Sequence, residues 1–163
     1  MNWLVKTHSG LACCVVAAVL LAVLGNVFVY LGEWNGAMRQ QIVPAGWEWV
    51  DRVVGYVCLG LFACMGTAAW LAYSSGQPTA ARDSYIVVGL MLVCILYPFY
   101  TLGLQAVPGL IGNVVVVILT ILAAIFVRRS SSVAVGLLAP VALWVSLATV
   151  YVARLIAANA NHN

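Results

Sequence analysis

The residues whose types and spacing could do chemistry in this chain are aromatic and small, not ionisable. Next to and within the stretch LLAPVALWVSLATVYVAR (Leu137 to Arg154), Gly136, Pro140, Trp144 and Ala148 fall four apart, and Tyr151 follows three residues later. At helical spacing they form one stripe. Two readings fit such a stripe. Small residues at i, i+4 let membrane helices pack closely. Alternatively, Ala148 leaves room beside the flat face of Trp144, and the stripe is the wall of a ligand cavity. A second aromatic group, Tyr97, Phe99 and Tyr100, surrounds Pro98, and a third, Trp34, Trp47 and Trp49, lies in a polar connection that also holds Glu33, Arg39, Glu48, Asp51 and Arg52. Those tryptophans fit an aromatic belt at the headgroup level or a loop folded over a pocket mouth.

What such residues can do is hold a flat hydrophobic molecule by stacking and burial. Catalytic sets are missing from the expected spans, which carry no Asp, Glu, Lys, Arg or His inside their ends. That argues against ion- or proton-coupled transport, which keeps an ionisable group in the membrane at a cost of a few kcal/mol. No Ser–His–Asp set, phosphate loop or metal cluster can be assembled, so the residues identify no enzyme and no required cofactor. Cys13, Cys14, Cys58, Cys64 and Cys94 lie in apolar runs and read as small hydrophobes.

The elements that must position these residues are membrane helices. The 163 residues are 65% hydrophobic and 7% charged, against about a quarter charged in soluble domains. A net charge of +3, dispersed along the chain, excludes a nucleic-acid binder. The run from Leu11 to Leu31 exceeds a signal-peptide core of roughly 7–15 residues and reads as a retained span. Ser84 to Val127 carries no charge and is about twice the length of a span, so it hides a turn, placed at Val107-Pro108-Gly109 with Gln105 and Asn113 as polar flanks. Pro98 should kink the span before that turn. The run VVVVILTILAAIFV after it, the plainest in the chain, reads as a lipid-facing wall.

The expectation is therefore an all-α membrane protein, a single bundle of five transmembrane helices. The spans are expected at about 10–32, 53–74, 84–105, 109–128 and 132–154, with a surface loop at 33–52. Within that loop Trp34, Met38 and Ile42 recur every four residues, the pattern of a short amphipathic surface helix. Lys and Arg divide four to three across such a bundle and fix no orientation, nor does the sequence name the host membrane. Gly60/Cys64/Ala68 and Ala18/Ala22 are small-residue faces for close helix contact, one of which could build a homodimer.

Several motifs resemble the TspO/translocator protein family, the tryptophan-rich sensory proteins also known as peripheral benzodiazepine receptors. In the fifth span, Pro140, Trp144, Ala148 and Thr149 match the family's proline, tryptophan and Ala-Thr pattern. Leu61-Phe62-Ala63-Cys64-Met65-Gly66-Thr67-Ala68 is similar to its Leu-Tyr-x-x-Met-Gly-x-Ala, and Trp34 and Pro44…Trp47 resemble its first loop. The family's second-span tryptophan is Cys58 here, and of its third-span Asn-x-x-Trp-x-Pro only Pro98 is kept.

The resemblance implies a bilayer-embedded five-helix bundle that binds porphyrin or haem, in some members sterols, often as a dimer. On that basis Trp34, Trp47, Trp49, Phe62, Tyr97, Phe99, Tyr100, Trp144, Ala148 and Tyr151 are the candidate ligand-binding residues. The protein would act as carrier, sensor or scavenger of a tetrapyrrole. Light- or oxygen-dependent degradation of bound porphyrin is the enzymatic alternative, and a ligand-free scaffold is the structural one.

Overall fold

The computed structural model describes residues 7–32, 41–101 and 104–160. Among them are six helices: α1 (His8–Leu31), α2 (Glu48–Ser74), α3 (Ala80–Ile95), α4 (Tyr97–Tyr100), α5 (Ala106–Val127) and α6 (Ser132–Ala160). Four of these, α1, α2, α5 and α6, are long and apolar enough to cross a membrane. The chain is an integral, multi-pass membrane protein. Large apolar side chains cover its outside, including Leu24, Tyr56, Tyr85, Ile111 and Leu143. In water such a surface would aggregate, and in a bilayer it faces lipid.

Helices α2, α3, α5 and α6 close a ring, each touching the next, with α6 returning to α2. Helix α1 packs outside the ring, mainly against α2, and buries only Ala18 and Ala22. The smallness of Ala18 has an intramolecular cause: a Cβ on Gly66 of α2 would lie 2.8 Å from the Ala18 Cβ and 2.9 Å from the Cys14 carbonyl oxygen. Ala18 and Ala22 are thus used within the chain. Of the other small-residue face, Ala68 is fully buried whereas Gly60 is exposed. Hydroxyls inside the bundle bond to their own helices, as an apolar medium demands. Thr67 donates to the Ala63 carbonyl at 2.8 Å, Thr120 to Val116 and Thr149 to Val145, each at 2.7 Å.

Several expectations need correction. The expected third span is interrupted next to Pro98: α3 stops at Ile95, Leu96 turns, and α4 adds one turn with Pro98 near its start. The reversal before α5 falls ahead of Val107-Pro108-Gly109. Helix α5 starts at Ala106, so Pro108 sits in its first turn, where a missing N–H costs nothing. Leu104, just before it, adopts φ 63°, a left-handed backbone that side chains disfavour. Residues 48–52, expected in the loop, begin α2, where Glu48 and Asp51 face the positive end of the helix dipole. Helix α6 runs on to Ala160 without breaking at Pro140. The surface helix through Trp34 and Met38 falls on residues 33–40, outside the described residues, and Ile42 is not helical.

The plain-looking α5 is no simple lipid wall either. Gly109, Gly112, Asn113, Val116, Thr120, Ala123 and Val127 form an inward stripe of three- and four-residue steps. Gly112 lets the α4 turn approach, since a Cβ there would meet the Tyr100 ring at 2.9 Å.

Two polar clusters tie the ends. At one, Asp83 at the start of α3 is fully buried and accepts hydrogen bonds from Ser130 in the α5–α6 turn, from Thr79 at 2.9 Å and from the Arg82 guanidinium at 2.9 and 3.0 Å. At the other, the Asn159 amide of α6 pairs with both the N–H and the carbonyl of Ile42, at 3.0 and 3.2 Å, and holds the segment leading into α2.

Candidate functional site

Inside the bundle lies a cavity of about 310 Å³ whose wall draws on every long helix. Helix α1 contributes Ala22, Gly25, Asn26 and Val29, and α2 contributes Asp51, Cys58, Phe62 and Met65. Cys94, Tyr97 and Pro98 line the α3–α4 break, and Leu104 and Gln105 the turn beyond it. Gly109, Asn113 and Val116 come from α5, and Val141, Trp144, Val145, Ala148, Tyr151 and Val152 from α6. The volume lies at the lower end of the range for small-molecule sites, about 300–1,000 Å³, and the wall is mostly apolar with few polar groups, as such sites are.

The α6 stripe faces this space over part of its length. Trp144, Ala148 and Tyr151 line it, while Pro140 and Gly136 are exposed. Tyr151 is 2% exposed, and its hydroxyl lies 3.1 Å from both carboxylate oxygens of Asp51, donating to the carboxylate. On its other side the Trp47 ring stacks with centroids 5.8 Å apart, and Trp49 meets Trp144 edge-on at 6.5 Å. Val50, Tyr151, Val152 and Leu155 form the small core under this contact, joined by Val43, Trp47 and Trp144. Trp47 and Trp49 therefore back the cavity's aromatic wall and do not line it.

Of the other candidates, Phe62 and Tyr97 line the cavity, and the Tyr97 hydroxyl donates to the Gly109 carbonyl at 3.0 Å, fastening the helix break to α5. Phe99 turns away to stack on Phe28 of α1 at 5.1 Å, and Tyr100 packs beside Tyr97 and Gly112. Trp34 lies outside the described residues. Five of the ten candidates thus share the wall: Phe62, Tyr97, Trp144, Ala148 and Tyr151.

Sequence reasoning missed Asp51, Cys58, Cys94 and Asn113 on that wall. Asp51 was assigned to the loop, and the cysteines had no spacing that marked them. Asn113 reads as the flank of a turn, although its four-residue step from Gly109 and three-residue step to Val116 set it inside a helical stripe. No group of three or more His, Cys, Asp or Glu that could hold a metal occurs among the described residues.

Fold and site together define a class: a multi-pass α-helical membrane protein enclosing an apolar, aromatic cavity between its helices. The chain belongs to the TspO/MBR family, whose model matches residues 10–157. Comparison with curated proteins and with solved structures finds no significant match.

Proposed function

We propose that the chain binds a flat, hydrophobic molecule in this cavity, with a tetrapyrrole (porphyrin or haem) as the leading class, and acts as its carrier, sensor or scavenger in the membrane. One observation carries the reading: Ala148, small at the centre of an otherwise bulky face, opens on the cavity beside Trp144. In a scaffold without a ligand that space would be filled, because interiors pack densely and voids cost stability. Membership of the TspO/MBR family supports a membrane ligand-binding role in general terms. The α3–α4 break at Leu96 interrupts the ring of helices beside wall residues Cys94, Ile95 and Tyr97.

The same reading assigns α3 and α4 together to one crossing in two pieces, giving five crossings in all. The ties support it: Ser130 and Asp83 meet at one end of the bundle, Ile42 and Asn159 at the other.

The test is titration of the purified, detergent-solubilised protein with protoporphyrin IX and with haem, followed by tryptophan emission. Saturable quenching that falls when Trp144 is replaced by phenylalanine is expected. Quenching absent in the wild type would overturn the tetrapyrrole reading.

A further inference from the structure

The inference drawn here rests on the reading of the cavity as a ligand site and narrows the ligand's chemistry. Asn113 lies one and a half turns or more inside α5, 5% exposed, on the cavity wall between Gly109 and Val116. Its Nδ2 is shut off from solvent and meets no hydrogen-bond partner. Its neighbours differ. The Tyr97 hydroxyl is engaged by Gly109, the Tyr151 hydroxyl by Asp51, and Thr120 by its own helix. A buried amide donor without an acceptor is costly, and a leucine of similar shape would avoid the cost. The terminal torsion of asparagine is soft, so a small turn presents the NH2 group to whatever enters the cavity.

The second observation is charge. Among the described residues no Lys, Arg or His lines the wall, and Asp51 supplies its only carboxylate. An anionic group carried inside would meet no counter-ion and would lose its hydration.

We propose that Asn113 donates its amide hydrogen to an uncharged acceptor on the part of the ligand held inside. The cavity then selects a flat, uncharged ring system bearing a carbonyl or a comparable oxygen or nitrogen, over the same ring skeleton without one, and charged substituents such as the propionates of a porphyrin stay outside at its open side.

Fluorenone and fluorene test this directly, since they share a three-ring skeleton and differ by one carbonyl. Equilibrium dialysis of both against the solubilised full-length protein, with detergent alone as blank, should show fluorenone bound about tenfold more tightly, the equivalent of roughly 1.4 kcal/mol. Asn113→Leu should reduce the ratio to within about twofold, chiefly by weakening fluorenone. In the wild type, the carbonyl stretch of bound fluorenone should move to lower frequency than in empty micelles, a readout that needs no variant.

Equal affinities, an unshifted carbonyl, or a preference that survives Asn113→Leu would each overturn the role of Asn113 while leaving the cavity a ligand site. Binding of neither compound would overturn the role of Asn113, and together with absent porphyrin quenching it would overturn the ligand site as well. A wild type that prefers fluorenone yet ignores porphyrins would remove the tetrapyrrole and leave this inference standing.

Discussion

At Tyr151 three contacts converge: its hydroxyl on Asp51, its ring on Trp47, and its edge on the cavity. The pair joins α6 to the first turn of α2, but Asp51 is exposed, so water competes for the carboxylate. Tyr151→Phe should therefore cost only about 1 kcal/mol, read as a small drop in the thermal unfolding midpoint in detergent. Asn113 should behave in the opposite sense. Its amide is retained without a partner, so Asn113→Leu should raise the unfolding midpoint of the empty protein by the equivalent of about 1–3 kcal/mol. A stability loss on that substitution would mean that the amide is satisfied in the protein as it stands.

Gly66 shows the same logic for a whole helix. It admits α1 against α2, and Gly66→Ala would drive a methyl group into Ala18 and the Cys14 backbone. A cost of about 1–3 kcal/mol is expected from the forced shift, measured again by unfolding in detergent. The α3 end is fixed by charge. Burial pushes the Asp83 carboxyl up, but the hydrogen bonds from Ser130, Arg82 and Thr79, with the Arg82 charge, outweigh it and hold it below the ordinary carboxylate value. A lowered folded-state value means that the contribution is whole above about pH 3.9, the unfolded value, and disappears as pH falls through the lower folded one. Wild type should thus lose this contribution only in strong acid. Asp83→Asn should lose it at neutral pH, by about 1.5–3 kcal/mol, and should flatten the acid limb of the stability profile.

These elements also show what was legible in the sequence. Apolar runs gave α1, α2, α5 and α6, because length and hydropathy are local properties. The end of α3 was not legible, since a proline fixes neither the sharpness of the interruption nor the residue at which the helix ends. The α6 stripe brought Trp144, Ala148 and Tyr151 to one face, whereas Phe99 shared its neighbourhood with Tyr97 yet points the other way. Which way an aromatic next to a helix break turns depends on its neighbours, here Phe28 of α1, and no spacing rule carries that. Asp51 and Asn113 were hidden for a different reason: each looked like a flank until the helix boundary moved past it.

For the molecule as a whole, the ring of four helices with α1 outside it leaves one space that all the long helices share. Its two tied ends imply that residues near Ser75 and Ser131 label from one side of the membrane and residues near Gln41 from the other. Single-cysteine accessibility in sealed vesicles, on a background without the native cysteines, measures this. Gln41 and Ser131 labelling from the same side would break the five-crossing arrangement. The central claim, that the space beside Ala148 exists to hold a ligand, is tested most directly by Ala148→Phe, with porphyrin titration and thermal unfolding measured on the same preparations. Adding volume to a cavity displaces no packed side chain, so the account predicts that binding is abolished while the unfolding midpoint stays at or above that of the wild type. A variant that unfolds early, beside a wild type that never binds, would contradict it, because that is how a packed helix interface responds to added volume.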